Sequence, residues 1–341
     1  MQKGAQPVDA VITWVDGGDP VHRAKREKWH DGAGNSPAAH AKATDATRFD
    51  EQGEIRWCIA SLLQNAPFLR CIWIVTDAQR PAVVDDMIRA GICDASRLRI
   101  VDHRDMFGEY AACLPTFASS SIEAMLWNIE GLAENYIFLN DDFYLNGPCD
   151  RRTFFTDDGL PVVRGAMRSH KLRHRLLGLR AILSDRFGFL SAPSPGFELA
   201  QSKGARLAGA SNTYVRTYHS PRPMRRSTLR DFYAKHPDVL VEQLEHRFRH
   251  HSRHNAITLG NMIEIMQYGA PFVGPPDMVY LHPKSFLDAA DGLRQLSDDG
   301  PLFGCIQSLD QLPPETVAQI KGYLDEKFAG YLPLALGKSE S

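Results

Sequence analysis

No stretch of this 341-residue chain approaches 18 consecutive apolar residues, so a membrane-crossing helix is not expected. The opening MQKGAQPVDA lacks the apolar core of a secretory signal. The six cysteines (58, 71, 93, 113, 149 and 305) include no CxxC pair. That disfavours a zinc ribbon or dithiol redox motif, and their scatter through apolar segments suits reduced thiols more than a disulfide framework. A formal net charge of -2 gives no whole-chain attraction to nucleic acid or to an anionic membrane. These absences together predict a cytoplasmic protein that does not bind nucleic acid, with room for peripheral association at the inner face of a membrane.

What is present is ordinary for a folded globule: 43% hydrophobic residues, 23% charged residues and 21 prolines. The length suits one elaborated domain or two closely joined ones. Charge is unevenly placed. Between Gly159 and Ser184 there are six Arg or Lys residues, two His and no acid. A second basic tract runs from Arg216 to Arg230, and HRFRHHSRH occupies 246 to 254. Anion-binding potential therefore lies in the C-terminal half.

The first half alternates strand and helix signals. VDAVITWV (8 to 15) is short and β-branched and stops at DGGDP, which reads as a strand and a loop. EIRWCIASLLQN (54 to 65) has apolar residues at helical spacing, CIWIVTD (71 to 77) reads as a strand, and PAVVDDMIRAG (81 to 91) as a helix with Pro first and Gly last. RLRIVDH (97 to 103) is a further strand, SSSIEAMLWNIEGL (119 to 132) a capped helix, and YIFLN (136 to 140) a buried strand. This order predicts an α/β fold: a Rossmann-like or GT-A-like, mostly parallel sheet covered by helices, with a mainly helical, basic C-terminal portion. The expected division is a nucleotide-binding core over 1–160, with 161–341, a basic insert and helical portion, completing the same domain.

In such sheets ligands sit beyond the carboxyl ends of the strands. Three of the predicted strands end in acid: Asp16, Asp77 and the adjacent pair Asp141 and Asp142. All three would face one crevice. Two neighbouring carboxylates after an apolar strand are costly to desolvate without a positive partner. A divalent cation, Mg2+ or Mn2+, on Asp141 and Asp142 would supply it, with a nucleotide diphosphate completing the coordination. A solvated turn or a helix cap is the bland alternative for such a pair.

Longer blocks carry a resemblance. DAVITWVDGGDP (9 to 20), the segment from RFDEQGEIRWC to CIWIVTDAQRP (48 to 81) and LPTFASSSIEAMLWNIEGLAENYIFLNDDFYL (114 to 145) closely resemble the first two conserved blocks of the Stealth family. YHSPRPMRRSTLRDFYAKHPDVLVEQLEHRFR (218 to 249) resembles its third, ending in an Arg-rich helix. The chain departs from the family pattern at Ala118 and Ser120, where asparagines are common, and shows no clear fourth block in FAGYLPLALGKSES. The resemblance implies a hexose-1-phosphate transferase of capsule or exopolysaccharide synthesis, with room for association with a capsule-assembly machine. Its donor would be a UDP-sugar such as UDP-N-acetylglucosamine, its acceptor a hydroxyl of a polysaccharide or oligosaccharide, and its by-product UMP.

That chemistry assigns expected roles. Arg225, Arg226, Arg247 and Arg249 are clamps for phosphate, with Arg247 the catalytic choice. His219, in HSPRP, is the expected base, with His103 second. Asp142 serves catalysis as well as the metal. Thr13, Trp14, Asp16, Gly17 and Gly18 would close over uridine, with Asp77 alongside. Arg48, Glu54 and Arg56 are expected at the same rim, contacting substrate or fixing the loop to the sheet. Leucines and arginines over 171–183 suit an anionic membrane, an anionic polymer or a lid. Two rival readings stand beside this one: a glycosyltransferase that releases UDP, and a non-catalytic binder of nucleotide sugars or carbohydrate.

Overall fold

A computed structural model describes residues 6–30, 52–170, 176, 180, 196–283, 289–297 and 299–333. In chain order the first half contains β1 (Val8–Thr13), α1 (Pro20–His30), α2 (Glu54–Asn65), β2 (Leu69–Thr76), α3 (Ala82–Arg89), β3 (Leu98–Asp102), α4 (His103–Phe107), α5 (Ser119–Met125) and β4 (Asn135–Asn140). Then come β5 (Phe143–Leu145), α6 (Arg151–Phe154), β6 (Ala166–Ser169), α7 (Phe197–Leu207), β7 (Thr213–Arg216), β8 (Arg222–Arg225), α8 (Arg226–Lys235) and α9 (Pro237–Glu245). The chain continues through α10 (Ala256–Tyr268), β9 (Met278–Leu281), α11 (Ala289–Leu296), β10 (Phe303–Ile306) and α12 (Pro314–Lys327).

The central sheet has the order β3-β2-β1-β4-β8. Its first four strands are parallel, and β8 joins antiparallel beside β4. The strands read as nearly unbroken apolar runs because both faces are covered. Val8, Ala10 and Ile12 of β1 enter one core with α2 and α12, while Val11 enters a second core with α5, α8 and α10. In α2, Ile55, Ile59, Leu62 and Leu63 are all buried. Each such side chain contributes about 1.5–3 kcal/mol relative to exposure. The chain enters β8 through Pro221, and Pro223 lies within it; an edge strand tolerates the missing donor.

The α/β alternation expected for the first half is present, with one helix added and one shortened. DGGDP is followed at once by α1, which begins on Pro20, a residue suited to a first helical turn. The helix expected over 119–132 ends at Met125 and gives way to a short 3-10 turn and an extended Ile129. The C-terminal half also contributes strands. Arg222–Arg225 extends the main sheet, and β9 and β10 form a small second sheet with β5. Gly304 allows that sheet to close, since an added Cβ would lie 2.0 Å from the Tyr144 ring. The Arg-rich helix ends at Glu245, so Arg247 and Arg249 lie in the bend that follows it. Arg48 and the 171–183 stretch, apart from Leu176 and Arg180, lie outside the described residues.

Candidate active site

The buried acid of β1 shows how this protein treats a carboxylate that it means to neutralise. Asp9 is fully buried and receives Arg70 Nε at 2.8 Å and Nη2 at 2.5 Å, Trp73 Nε1 at 2.9 Å and the Ala133 amide at 2.8 Å. The strand-end acids divide between two further environments.

The first is a cavity of about 350 Å3 at the ends of β1 and β2, lined by Trp14, Asp16, His22, Lys25, Asp77 and Gln79 among others. Asp77 Oδ2 meets His22 Nδ1 at 3.0 Å, and both Asp77 oxygens accept from Lys25 Nζ at 3.1 Å. Burial works upward on the Asp77 carboxyl, but these two partners outweigh it and bring the group down to about 2. Asp16 Oδ1 accepts from the Gly18 amide at 2.8 Å, which shapes the loop. Trp14 contributes a wall while its ring packs in the core, only 7% exposed. Gly17 is buried in that loop, and Thr13 ends β1 across from Asn140 of β4.

The second cavity, about 360 Å3, lies beyond the end of β4. Asn140, Glu123, His219, Arg222, Arg249 and Arg253 are among its lining residues. Beside it Asp142, His219 and Cys305 each offer one donor atom, all within 4.8 Å of one another, a group that could hold a metal ion. Pairing of β5 with β10 sets Cys305 across from Phe143 and so next to Asp142. The Cys305 thiol donates to Asp142 Oδ2 at 3.4 Å. Burial raises the Asp142 carboxyl to about 6 against the pull of that bond and of Arg222. Burial and Asp142 raise the Cys305 thiol well above its ordinary range, so it is protonated and a poor partner for a hard cation. His219 is boxed by Phe143, Phe197 and Tyr280, with ring centroids 5.6–6.5 Å away. Burial, then the charge on Arg222, lowers it to about 4. Among the described residues, Asp142 Oδ1, His219 Nδ1 and Arg222 Nε are buried with no hydrogen-bond partner.

The vicinal pair is thus split: Asp142 belongs to the metal-capable group and Asp141 does not. Asp16 and Asp77 line the first cavity and not the second. Phe117 lies between the two spaces, its ring 5.6 Å from His22 and stacked at 5.0 Å on Phe248, the neighbour of Arg249.

The arginines separate by their partners. Arg249 lines the second cavity. Arg225 is held by Glu264 at 2.8 Å and lies over Tyr268, and Arg226 donates to the Trp127 carbonyl at 2.7 Å. Arg247 donates to the carbonyls of Cys113, Pro115 and Ala112 and stacks over Trp29 at 3.9 Å. These three are spoken for by the fold. Arg222 and Arg253, not singled out in the sequence, stand at the cavity instead. The signal for Arg222 was present, since it is the Arg of HSPRP, three residues after His219.

Arg56 forms an ion pair with Asp325 of α12 at 2.9 Å and stacks on Trp57, so its partner is not Glu54. Glu54 accepts from the Gln52 amide at 2.7 Å at the start of α2. His103 is 2% exposed and lowered to about 4 by burial; it lines neither cavity.

The architecture is that of an α/β protein with cavities at the carboxyl edge of a parallel sheet. The chain belongs to the Stealth family: residues 6–34 match its conserved region 1 and residues 48–163 its conserved region 2. An exopolysaccharide phosphotransferase of Streptomyces coelicolor is 30% identical over 347 residues, covering 96% of this chain and 56% of that protein. A capsular polysaccharide phosphotransferase of Streptococcus pneumoniae is 34% identical over 160 residues, 47% of this chain and 45% of that protein. The chain spans about half the length of the curated relatives it matches. Among solved structures, the galactosyltransferase LgtC with donor and acceptor sugar analogs aligns over 97% of this chain and 98% of its own, at 11% identity and a TM-score of 0.44. Among the described residues, no helix is long and apolar enough to cross a membrane.

Proposed function

We propose that the chain is a sugar-1-phosphate transferase of capsule or exopolysaccharide synthesis. An acceptor hydroxyl attacks the β-phosphorus of a UDP-hexosamine such as UDP-N-acetylglucosamine. The new oxygen–phosphorus bond forms as the bond to the bridging pyrophosphate oxygen breaks, UMP departs, and the product is a phosphodiester. Family membership and the named activity of the relatives support the class of reaction.

The observation that carries the reading is the set of uncompensated groups beside the second cavity. Among the described residues, Asp142 Oδ1, His219 Nδ1 and Arg222 Nε are buried without a hydrogen-bond partner, in a protein that satisfies Asp9 four times over. Each such atom costs about 1–3 kcal/mol unless a ligand engages it. Arg222 is shared between two carboxylates, Glu123 and Asp142, and Glu123 is also acted on by Arg249. The partnerless Asp142 Oδ1 fits a divalent cation, Mg2+ or Mn2+, which when bound neutralises charge on the pyrophosphate. Arg222 adds a fixed positive charge against the phosphoryl oxygens. His219, neutral at physiological pH, accepts the hydroxyl proton through Nδ1; the neighbouring phosphate charge raises its basicity in the complex. The nucleoside is assigned to the first cavity, where Asp16, Lys25 and Gln79 offer polar contacts.

Chromatography of the nucleotide product tests the reaction. Incubation with UDP-N-acetylglucosamine and an oligosaccharide acceptor is expected to release UMP, to stop on addition of EDTA and to resume with excess Mg2+ or Mn2+. Exclusive release of UDP would identify a glycosyltransferase instead.

A further inference from the structure

Two buried guanidinium groups border the second cavity, and they sit in different electrostatic company. Arg222 interacts with Glu123 and Asp142. Arg253, 3% exposed, has Arg249 and Glu245 as its charged neighbours. Glu245 is a weak counterion: its side chain is 53% exposed and lies 3.3 Å from His246. Burial, with Arg249 adding to it, lowers Arg253 to about 9, the mark of a cation without an adequate partner. Nearby His254 does not add charge, since burial lowers it to about 3.

The way Arg253 is held is equally specific. Nη1 donates to Ser120 Oγ at 3.0 Å and to Ser121 Oγ, which pins the group. Nε and Nη2 are buried and have no hydrogen-bond partner among the described residues. This is the same edge with which Arg70 holds both oxygens of Asp9, at 2.8 and 2.5 Å. An Nε–Nη2 edge matches the paired oxygens of a carboxylate or a phosphate. A neutral sugar can accept single hydrogen bonds from such a group but offers no charge to compensate it. A phosphodiester carries one negative charge and presents two such paired oxygens.

We propose that Arg253, with Arg249 at its side, forms a second anion site that binds a phosphodiester of the acceptor glycan, separate from the place of the donor's diphosphate. Ser120 and Ser121 are positioning residues that fix the guanidinium. The identity of the anion rests on the transfer reading above, since each turn of that reaction leaves a phosphodiester on the glycan, and an acceptor carrying one is the product of an earlier turn. The chain would then prefer an acceptor that already bears a sugar phosphate to a neutral glycan of the same sugars.

The test begins with binding of inorganic phosphate to the full chain, by calorimetry, with and without saturating UDP. The site predicts phosphate binding that persists with UDP bound and that weakens by about 10–100-fold in Arg253→Gln, as expected for a lost charged hydrogen-bond pair. Arg253→Lys is expected to retain part of the binding. Should Arg253→Gln fail to fold, the double variant Ser120→Ala, Ser121→Ala keeps the charge but releases its anchor, and a several-fold loss is expected. Displacement of phosphate by UDP would assign Arg253 to the donor, and binding indifferent to these variants would mean an adventitious ion only; either overturns the proposal. With acceptors, Arg253→Gln should raise KM for a phosphodiester-bearing oligosaccharide far more than for its neutral counterpart. Equal changes for both would overturn it as well. The competition between phosphate and UDP does not depend on which nucleotide the reaction releases, so failure here is distinguishable from failure of the transferase reading.

Discussion

At the end of β2, Asp77 is met by an imidazole and an ammonium group; just past the end of β4, Asp142 is met by a thiol, and no cation lies within ion-pairing distance of it among the described residues. Both are carboxylates at the same edge of one sheet, and both are half-buried. One is lowered to about 2 and the other raised to about 6. The difference comes from what the next segment of chain supplies. After β1 comes α1, which delivers His22 and Lys25 to Asp77. After β4 the chain turns straight into β5, and β10 pairs there and delivers only Cys305. A strand-end acid is therefore not a site by itself. What marks a site is an acid that the fold declines to neutralise.

The sharpest way to break this comparison is to neutralise each acid in turn. Asp142→Asn is expected to lower transfer by on the order of 10²–10³, the scale for removing a preorganised charge from a reacting centre. In EDTA its melting temperature should be no lower than that of the parent, because the lost charge was poorly compensated. A variant that melts lower and stays active would show that Asp142 is structural. Next in size is a stability effect. Arg225→Met strands Glu264, which is 2% exposed and is left with Thr228 as a donor. A loss of about 3–5 kcal/mol in urea unfolding is expected for one partner of a buried pair. Undiminished stability with lost activity would return Arg225 to the ligand site. Asp77→Asn should cost less, about 2 kcal/mol at neutral pH, from a carboxyl held near 2 against an unfolded value near 4. Because the folded value is depressed, this stabilisation is complete above the unfolded pKa and disappears as pH falls from about 4 through about 2. The urea midpoints of parent and variant should converge there. A gap that persists at pH 2 would mean that the Asp77 charge is not the source of the effect.

Much of the fold was readable because parallel strands buried on both faces are continuous apolar runs, as in VDAVIT and NYIFLN. β8, β9 and β10 were not readable. They are four residues long each, and RPMR contains a proline and two arginines that make sense only on an edge beside β4. For the site, His219 and Asp142 stood out through their motifs. Arg253 did not, because HRFRHHSRH offers several interchangeable cations and only packing against Ser120 and Ser121 distinguishes one of them. A different stretch engages Arg247, whose guanidinium donates to three backbone carbonyls.

The sequence by itself determined the alternation of buried strands and covering helices, the acids at the strand ends and the basic character of the second half. These are local properties, set by side-chain periodicity and by where turns interrupt it. Tertiary structure alone decided which charges are cancelled and which are kept. Cancellation depends on groups about forty to sixty residues apart coming within about 3 Å, as Lys25 does with Asp77, Arg70 with Asp9 and Arg225 with Glu264. A Coulomb interaction between buried groups is set by distance and solvent exclusion, and neither can be read along a chain.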